Sequence, residues 1–116
     1  MSKILFRDTV KFRVLTPSLA WMLYCFEKAT RVDTRQYIIS SVNDSQHLEN
    51  SKHYRDMAFD FFSLDFHDNA EKEALRLEVQ SVMNLEFPGK FTVIIENMGM
   101  RGEHFHCQVT KGQTFP

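Results

Sequence analysis

The chain lacks the patterns of charge and hydropathy that are typical of nucleic-acid-binding, membrane-spanning and secreted proteins. Its formal net charge is −1 and it has no basic block, so its electrostatics do not favour nucleic-acid binding. No apolar run reaches the ~18 residues of a membrane span, and the first residues lack the long apolar segment of a signal peptide. We therefore expect a protein that is made and kept in a cytoplasm unless another factor releases it.

Cysteine is also scarce, with only Cys25 and Cys107 in the chain. Two cysteines this far apart do not make a disulfide framework, and a cytoplasmic setting keeps thiols reduced. Cys107 follows His106 directly, so on a strand the two side chains point to opposite faces. We therefore do not expect Cys107 to bind a metal together with that histidine.

The length and composition are those of one small globular domain over residues 1–116. Hydrophobic residues make up 43% of the chain and charged residues 25%, which is ordinary for a soluble globule. Eleven phenylalanines give this short chain a large apolar area to bury.

Periodicity and capping residues predict the order of the elements. Thr16 and Pro17 form an N-cap and a first helical position, and apolar residues at spacings of three and four continue this helix to about Thr30. We predict strands over 36–42, 57–62, 91–96 and 104–109, a helix over 70–84, a loop over 46–55, and an irregular or short-strand segment over 3–15. The mixed order predicts a small antiparallel α+β domain with its helices on one face of the sheet.

Two groups of imidazoles and carboxylates have the composition of a zinc site. His53 precedes Asp60 by seven residues, and the small Ala58 leaves room beside the acid. A catalytic zinc takes three protein ligands and keeps a fourth position for water. His53, Asp60 and His106 would supply two nitrogens and one oxygen from a loop and two strands.

Other polar residues fit supporting roles near such a site. Glu103 precedes His106 by three residues and could transfer protons to and from the reacting groups. Glu96, at the end of the preceding strand, is a rival for this role. His104 shares a strand face with His106 and could stabilise an oxyanion or orient the substrate, and His47 could reach the pocket from the loop.

At these residues the sequence resembles the zinc D-alanyl-D-alanine peptidase and hedgehog-domain superfamily. The pattern of that family is Ser-x-His-x-x-Gly-x-Ala-x-Asp, followed later by Glu-x-x-His or His-x-His. The matching positions are Ser51, His53, Ala58 and Asp60 in the first motif, and Glu103, His104 and His106 in the second. The resemblance covers roughly residues 16–110, although the motif matches occupy few of these positions.

The resemblance implies a zinc peptidase that cleaves bonds at or near D-alanine in the peptides of bacterial peptidoglycan. It implies that His53, Asp60 and His106 bind Zn²⁺, and that Glu103 is the general base with His104 assisting. His47 and Ser51 would then contact the substrate.

Small members of this family without a signal peptide are typical of bacteriophages, where they act as endolysins. We therefore expect a monomer that is made in the host cytoplasm and acts on the cell wall after release. We expect neither a nucleic-acid partner nor a membrane span.

The chain departs from the family pattern at two places. Asp56 stands where the family has Gly. No arginine follows the strand over 36–42, where many peptidases carry one that binds the substrate carboxylate; Arg35, Arg55 and Arg101 are candidates to replace it. The alternative hypotheses are a zinc-containing, hedgehog-like binding or viral structural module without peptidase activity, and a remnant that binds no metal.

Overall fold

A computed structural model of the chain describes residues 3–10, 16–42 and 58–113. The elements are β1 (Lys3–Phe6), α1 (Pro17–Thr30), β2 (Gln36–Ser41), β3 (Ala58–Phe62), α2 (Asn69–Glu86), β4 (Phe91–Glu96) and β5 (His104–Val109). The strands form one mixed sheet in the order β1-β2-β3-β5-β4. The predicted α+β class is therefore confirmed. The loop predicted over 46–55 lies outside the described residues.

The first strand is the exception to the predicted antiparallel sheet. The pairs β2·β3, β3·β5 and β4·β5 are antiparallel, but β1 runs parallel to β2. The prediction of a wholly antiparallel sheet is therefore wrong at this edge. The physical reason is the long connection that contains α1, because a helical crossover lets the chain return along the direction in which it left β1.

Each helix begins at a residue whose side chain caps its first turn, and the cap at Thr16 is the one that the sequence predicts. The Leu19 N–H donates to the side-chain oxygen of Thr16 at 3.2 Å, and Pro17 occupies the first turn. The Glu71 N–H donates to the Asp68 carboxylate at 2.8 Å at the start of α2. Neither of these two helices, the ones in the described part of the chain, is both long and apolar enough to cross a membrane.

The helices cover one face of the sheet, and aromatic side chains fill the space between. Phe61 of β3 stacks on Phe105 of β5, with ring centroids 4.6 Å apart, and Phe26 of α1 lies 4.3 Å from Phe61. The fully or almost fully buried core also includes Leu19, Met22, Tyr37, Ile39, Phe59, Val79, Met83, Val93, Cys107 and Val109. Because side chains alternate along a strand, this packing directs every second residue of β3, β4 and β5 to the opposite face.

A partly buried polar network joins the start of β2 to the start of α2. Arg35 donates to Asp33 at 2.8 Å and to Glu71 at 2.9 Å, and the Tyr37 hydroxyl donates to the same Asp33 carboxylate. Burial of Asp33 favours its neutral form, but the hydrogen bonds from Tyr37 and Arg35 outweigh this and hold the pKa of Asp33 below its usual value. The network therefore stabilises the fold most when Asp33 is ionised.

Truncation of Met83 should destabilise the protein far more than truncation of Leu85 on the same helix. Met83 is fully buried, whereas Leu85 is 80% exposed. Met83→Ala should lower the free energy of unfolding by about 2–5 kcal/mol, because it leaves a cavity. Leu85→Ala should change it by less than about 0.5 kcal/mol. Urea unfolding followed by circular dichroism measures both, and equal losses would contradict the placement of α2.

Acid should lower the free energy of unfolding, partly because Asp33 becomes protonated. Because the pKa of Asp33 is lower in the folded than in the unfolded chain, its contribution is present above the unfolded value of roughly 3.9 and is lost as the pH falls through the folded value. Asp33→Asn should therefore reduce the dependence of the unfolding free energy on pH in the acid range. Asp8→Asn, at an exposed turn, is the matched control and should keep the full dependence.

Candidate metal centre

The pairing of three strands brings four polar side chains to the sheet face that the helices leave open. β3 pairs with β5 so that Asp60 lies opposite His106, and β4 pairs with β5 so that Glu96 lies opposite His104. The neighbouring positions Phe59, Phe61, Phe105 and Cys107 all face the core. The prediction that the two histidines share one face and Cys107 takes the other is confirmed.

His106 is the most buried member of this group. Its Nδ1 lies 2.8 Å from Asp60 Oδ1, and its Nε2 lies 2.8 Å from Gln108 Oε1. The side chains of His106 and Asp60 are only 11% and 16% exposed. Burial alone would lower the pKa of His106, but the hydrogen bonds to Asp60 and Gln108 and the charges of Asp60 and Glu96 outweigh it and raise the pKa.

His104 is oriented by the backbone of the preceding loop. Its Nδ1 lies 2.8 Å from the Gly102 carbonyl oxygen, which can only accept, so Nδ1–H is the donor. In the neutral ring the lone pair of Nε2 then faces Glu96 Oε1 at 2.9 Å. Two acceptors at this distance need a proton or another cation between them. This is the arrangement of many metal-binding histidines, which donate their other N–H to a carbonyl.

The same contacts affect the pKa of His104. Burial alone would lower its pKa. The Gly102 hydrogen bond and the negative charges of Asp60 and Glu96 outweigh burial and raise the pKa. The negative charges of Asp60 and Glu96 therefore favour a positive charge at the imidazole of His104.

Three of these residues could hold a metal ion. Asp60, Glu96 and His104 each offer one ligand atom, and the three atoms lie within 4.8 Å of one another. His104 Nε2 is 3.9 Å from Asp60 Oδ2, and His106 Nδ1 is 3.8 Å from Glu96 Oε1. Carboxylate oxygen and imidazole nitrogen are ligands that zinc accepts. The donor set therefore fits a divalent zinc ion.

The structure brings together some of the residues singled out in the sequence. Asp60 and His106, two of the three predicted zinc ligands, are in direct contact, and His104 lies beside them. The third predicted ligand, His53, lies outside the described residues. So do His47 and Ser51, predicted to contact the substrate, and the Asp56 substitution.

The two candidates for the general base have different surroundings. Glu103 forms an ion pair with Lys72 of α2 at 2.8 Å and accepts the Gly99 N–H at 2.6 Å. Burial would raise the pKa of Glu103, but these two partners outweigh it and lower the pKa. The Glu96 side chain is 44% exposed and contacts His104 instead.

Two further contacts bear on the sequence hypotheses. Gln108 contacts His106 from two residues further along the same strand, and the sequence hypothesis did not include it. The alternation of side chains along β5 was the signal that could have identified it.

Arg35, a candidate for binding the substrate carboxylate, is already paired with Asp33 and Glu71. Its guanidinium is therefore committed to the fold.

No protein-family model matches the chain, and no curated protein is significantly similar to it in sequence. Hypotheses about its chemistry therefore depend on the residues of the chain itself and on where the fold brings them.

Zinc should stabilise the folded protein by binding at a site that includes Asp60. At about a hundred times its dissociation constant, a ligand that binds only the folded chain adds roughly 2.7 kcal/mol to its stability. We expect Zn²⁺ to raise the melting temperature by several degrees, chelator to reverse the rise, and Asp60→Asn to abolish it. Asp8→Asn, a loss of one exposed carboxylate elsewhere, should leave the rise intact. Differential scanning calorimetry measures the melting temperature of the wild type and of both variants, and an undiminished rise in Asp60→Asn would contradict the site.

Proposed function

We propose that the chain is a zinc-dependent peptidase that cleaves stem or cross-link peptides of bacterial peptidoglycan, with a fold of the D-alanyl-D-alanine peptidase and hedgehog type. The observation that carries the proposal is the contact between Asp60 and His106. These residues lie 46 positions apart, in the two separate motifs that carry the family resemblance. Their meeting on an open sheet face is what the proposed zinc site requires.

The proposed zinc ligands are those of the sequence hypothesis, His53, Asp60 and His106. His104 and Glu96 adjoin Asp60 and His106 and offer further donor atoms. When bound, a zinc ion would supply Lewis acidity that polarises a carbonyl oxygen and makes a water molecule more acidic. For His106 to take part as a ligand, its hydrogen bond to Asp60 or the one to Gln108 is exchanged.

We propose Glu96 as the general base and acid. Its carboxylate is 44% exposed and within reach of the two histidines of β5, so it could take a proton from an attacking water and deliver it to the leaving amine. Glu103, which the spacing of the second motif indicates, is the alternative general base. The ion pair of Glu103 with Lys72 argues against it, because the base would first have to leave this partner.

His104 would then have a positioning role. It holds Glu96 Oε1 at 2.9 Å while the Gly102 carbonyl fixes its own ring. The imidazole also lines the pocket beside Asp60, and its Nε2 could donate to an oxyanion there once it exchanges its contact with Glu96. His47 and Ser51 remain proposed contacts for the substrate, and a phage lysin that reaches the wall from a host cytoplasm remains the proposed setting.

A second candidate function is a zinc-containing binding or viral structural module. Asp60, Glu96, His104 and His106 offer four donor groups on one face of the sheet, and a zinc ion with protein ligands in all four positions is typical of structural rather than catalytic sites. This candidate predicts stoichiometric zinc and no hydrolysis of any wall peptide.

The deciding experiment digests purified muropeptides with zinc-loaded protein, with and without chelator, and analyses the products by mass spectrometry. We expect peptide cleavage that chelator abolishes and Zn²⁺ restores. A protein that contains one zinc per chain and cleaves none of the muropeptides would overturn the peptidase in favour of the binding module.

Glu96→Gln should reduce kcat/KM by about 10²–10⁴-fold, the usual effect of removing a general base. Zinc content should be unchanged, because the proposed ligands are His53, Asp60 and His106 rather than Glu96. Glu103→Gln is the matched variant, and it should retain most of the activity while lowering stability modestly through loss of its Lys72 partner. A large loss in Glu103→Gln together with full activity in Glu96→Gln would reverse the two assignments.

A further inference from the structure

The two ring nitrogens of His106 face different kinds of group. Nδ1 lies 2.8 Å from Asp60 Oδ1 and 3.8 Å from Glu96 Oε1. Nε2 lies 2.8 Å from the amide oxygen of Gln108. One nitrogen of the ring therefore has two carboxylates beside it, whereas the other contacts an uncharged amide.

The pairing of β5 with its two neighbouring strands determines the place of Gln108. It follows His106 by two residues on β5, so both side chains lie on the open face of the sheet. Its neighbours across the sheet are Ala58 of β3 and Thr92 of β4. The small side chain of Ala58 leaves room for the amide, and the Thr92 hydroxyl bonds to Thr110 at 2.7 Å. The amide of Gln108 therefore lies along the strand against the ring of His106.

The charges around the ring decide which hydrogen bond of His106 a metal ion would replace. A divalent cation is attracted to Nδ1, because the carboxylates of Asp60 and Glu96 are on that side. A neutral imidazole has one lone pair and one N–H. If Nδ1 gives its lone pair to the metal, the proton is on Nε2, where Gln108 Oε1 can accept it. The contact with Asp60 is then exchanged, and the contact with Gln108 is kept.

We infer that Gln108 is a positioning residue for the proposed zinc ligand His106. It accepts the Nε2 proton and thereby keeps the lone pair of Nδ1 directed at the metal. Metal-binding histidines commonly donate their other N–H to an acceptor that fixes the tautomer and the orientation of the ring. The inference rests on the zinc site of the proposed function, and it applies equally to a peptidase and to a binding module.

The zinc affinity of the full chain tests this role without an activity assay. Competition with a chromophoric chelator gives the dissociation constant of each variant. Gln108→Met keeps a side chain of similar length but has only a weak acceptor. It should weaken zinc binding about 10–100-fold, the usual effect of removing such a partner. Gln108→Glu restores a strong acceptor and should bind zinc at least as tightly as the wild type.

Thr92→Val is the matched control on the neighbouring strand. Thr92 lies opposite Gln108 on the same face of the sheet, and its hydroxyl bonds to Thr110. Valine keeps the branched shape of threonine and removes the hydroxyl, so the zinc affinity should equal that of the wild type. Melting temperatures of the metal-free proteins close to that of the wild type would show that all three variants are folded.

NMR tests the same assignment in the wild type, without any substitution. Long-range proton–nitrogen correlation spectra show which ring nitrogen of a histidine carries the proton and which one binds the metal. In the zinc-loaded protein we expect Nδ1 of His106 to bind the metal and Nε2 to remain protonated.

The outcomes separate the role of Gln108 from the peptidase proposal. Four results would each overturn the inference: zinc bound through Nε2 of His106, unchanged affinity in Gln108→Met, the same loss in Gln108→Glu, or the same loss in Thr92→Val. A wild type that binds no zinc would overturn both the inference and the proposed function. The expected affinities and NMR spectra without cleavage of muropeptides would support the role of Gln108 and refute the peptidase.

Discussion

The pairing of β3 with β5 is the constraint on which the rest of the structure depends. One register places Phe61 opposite Phe105 in the core and Asp60 opposite His106 on the open face. Because side chains alternate, a slip of one residue would bury the acid and expose the phenylalanines. The stacked aromatic rings therefore stabilise the polar contact across the same two strands.

The open face of the sheet concentrates negative charge among the described residues. Asp60 and Glu96 lie against two imidazoles, one of which already donates its Nδ1 proton to Gly102. A proton, a metal ion or a cationic side chain can each compensate for the negative charge. The raised pKa of both histidines and the set of donor atoms that could hold a metal ion are consequences of this one electrostatic arrangement.

Local signals were sufficient for most of the elements. Thr16 and Asp68 have side chains that accept helix N–H groups, and the alternation of β3, β4 and β5 separates a core face from a polar face. Pairing of β1 with β2 was not predictable in this way. β1 has four residues and meets β2 only after a helical crossover, so its direction depends on how the helix packs.

The candidate site likewise has features that the sequence predicts and features that depend on the packing of distant elements. The sequence by itself determined which residue types are available, and strand alternation determined that His104 and His106 share a face and Cys107 does not. Only the tertiary structure decided that Glu103 pairs with Lys72, that Glu96 meets His104, and that Arg7 reaches the pocket beside Asp60. These contacts join residues from different elements, and their distances follow from the order and register of the strands rather than from spacing along the chain.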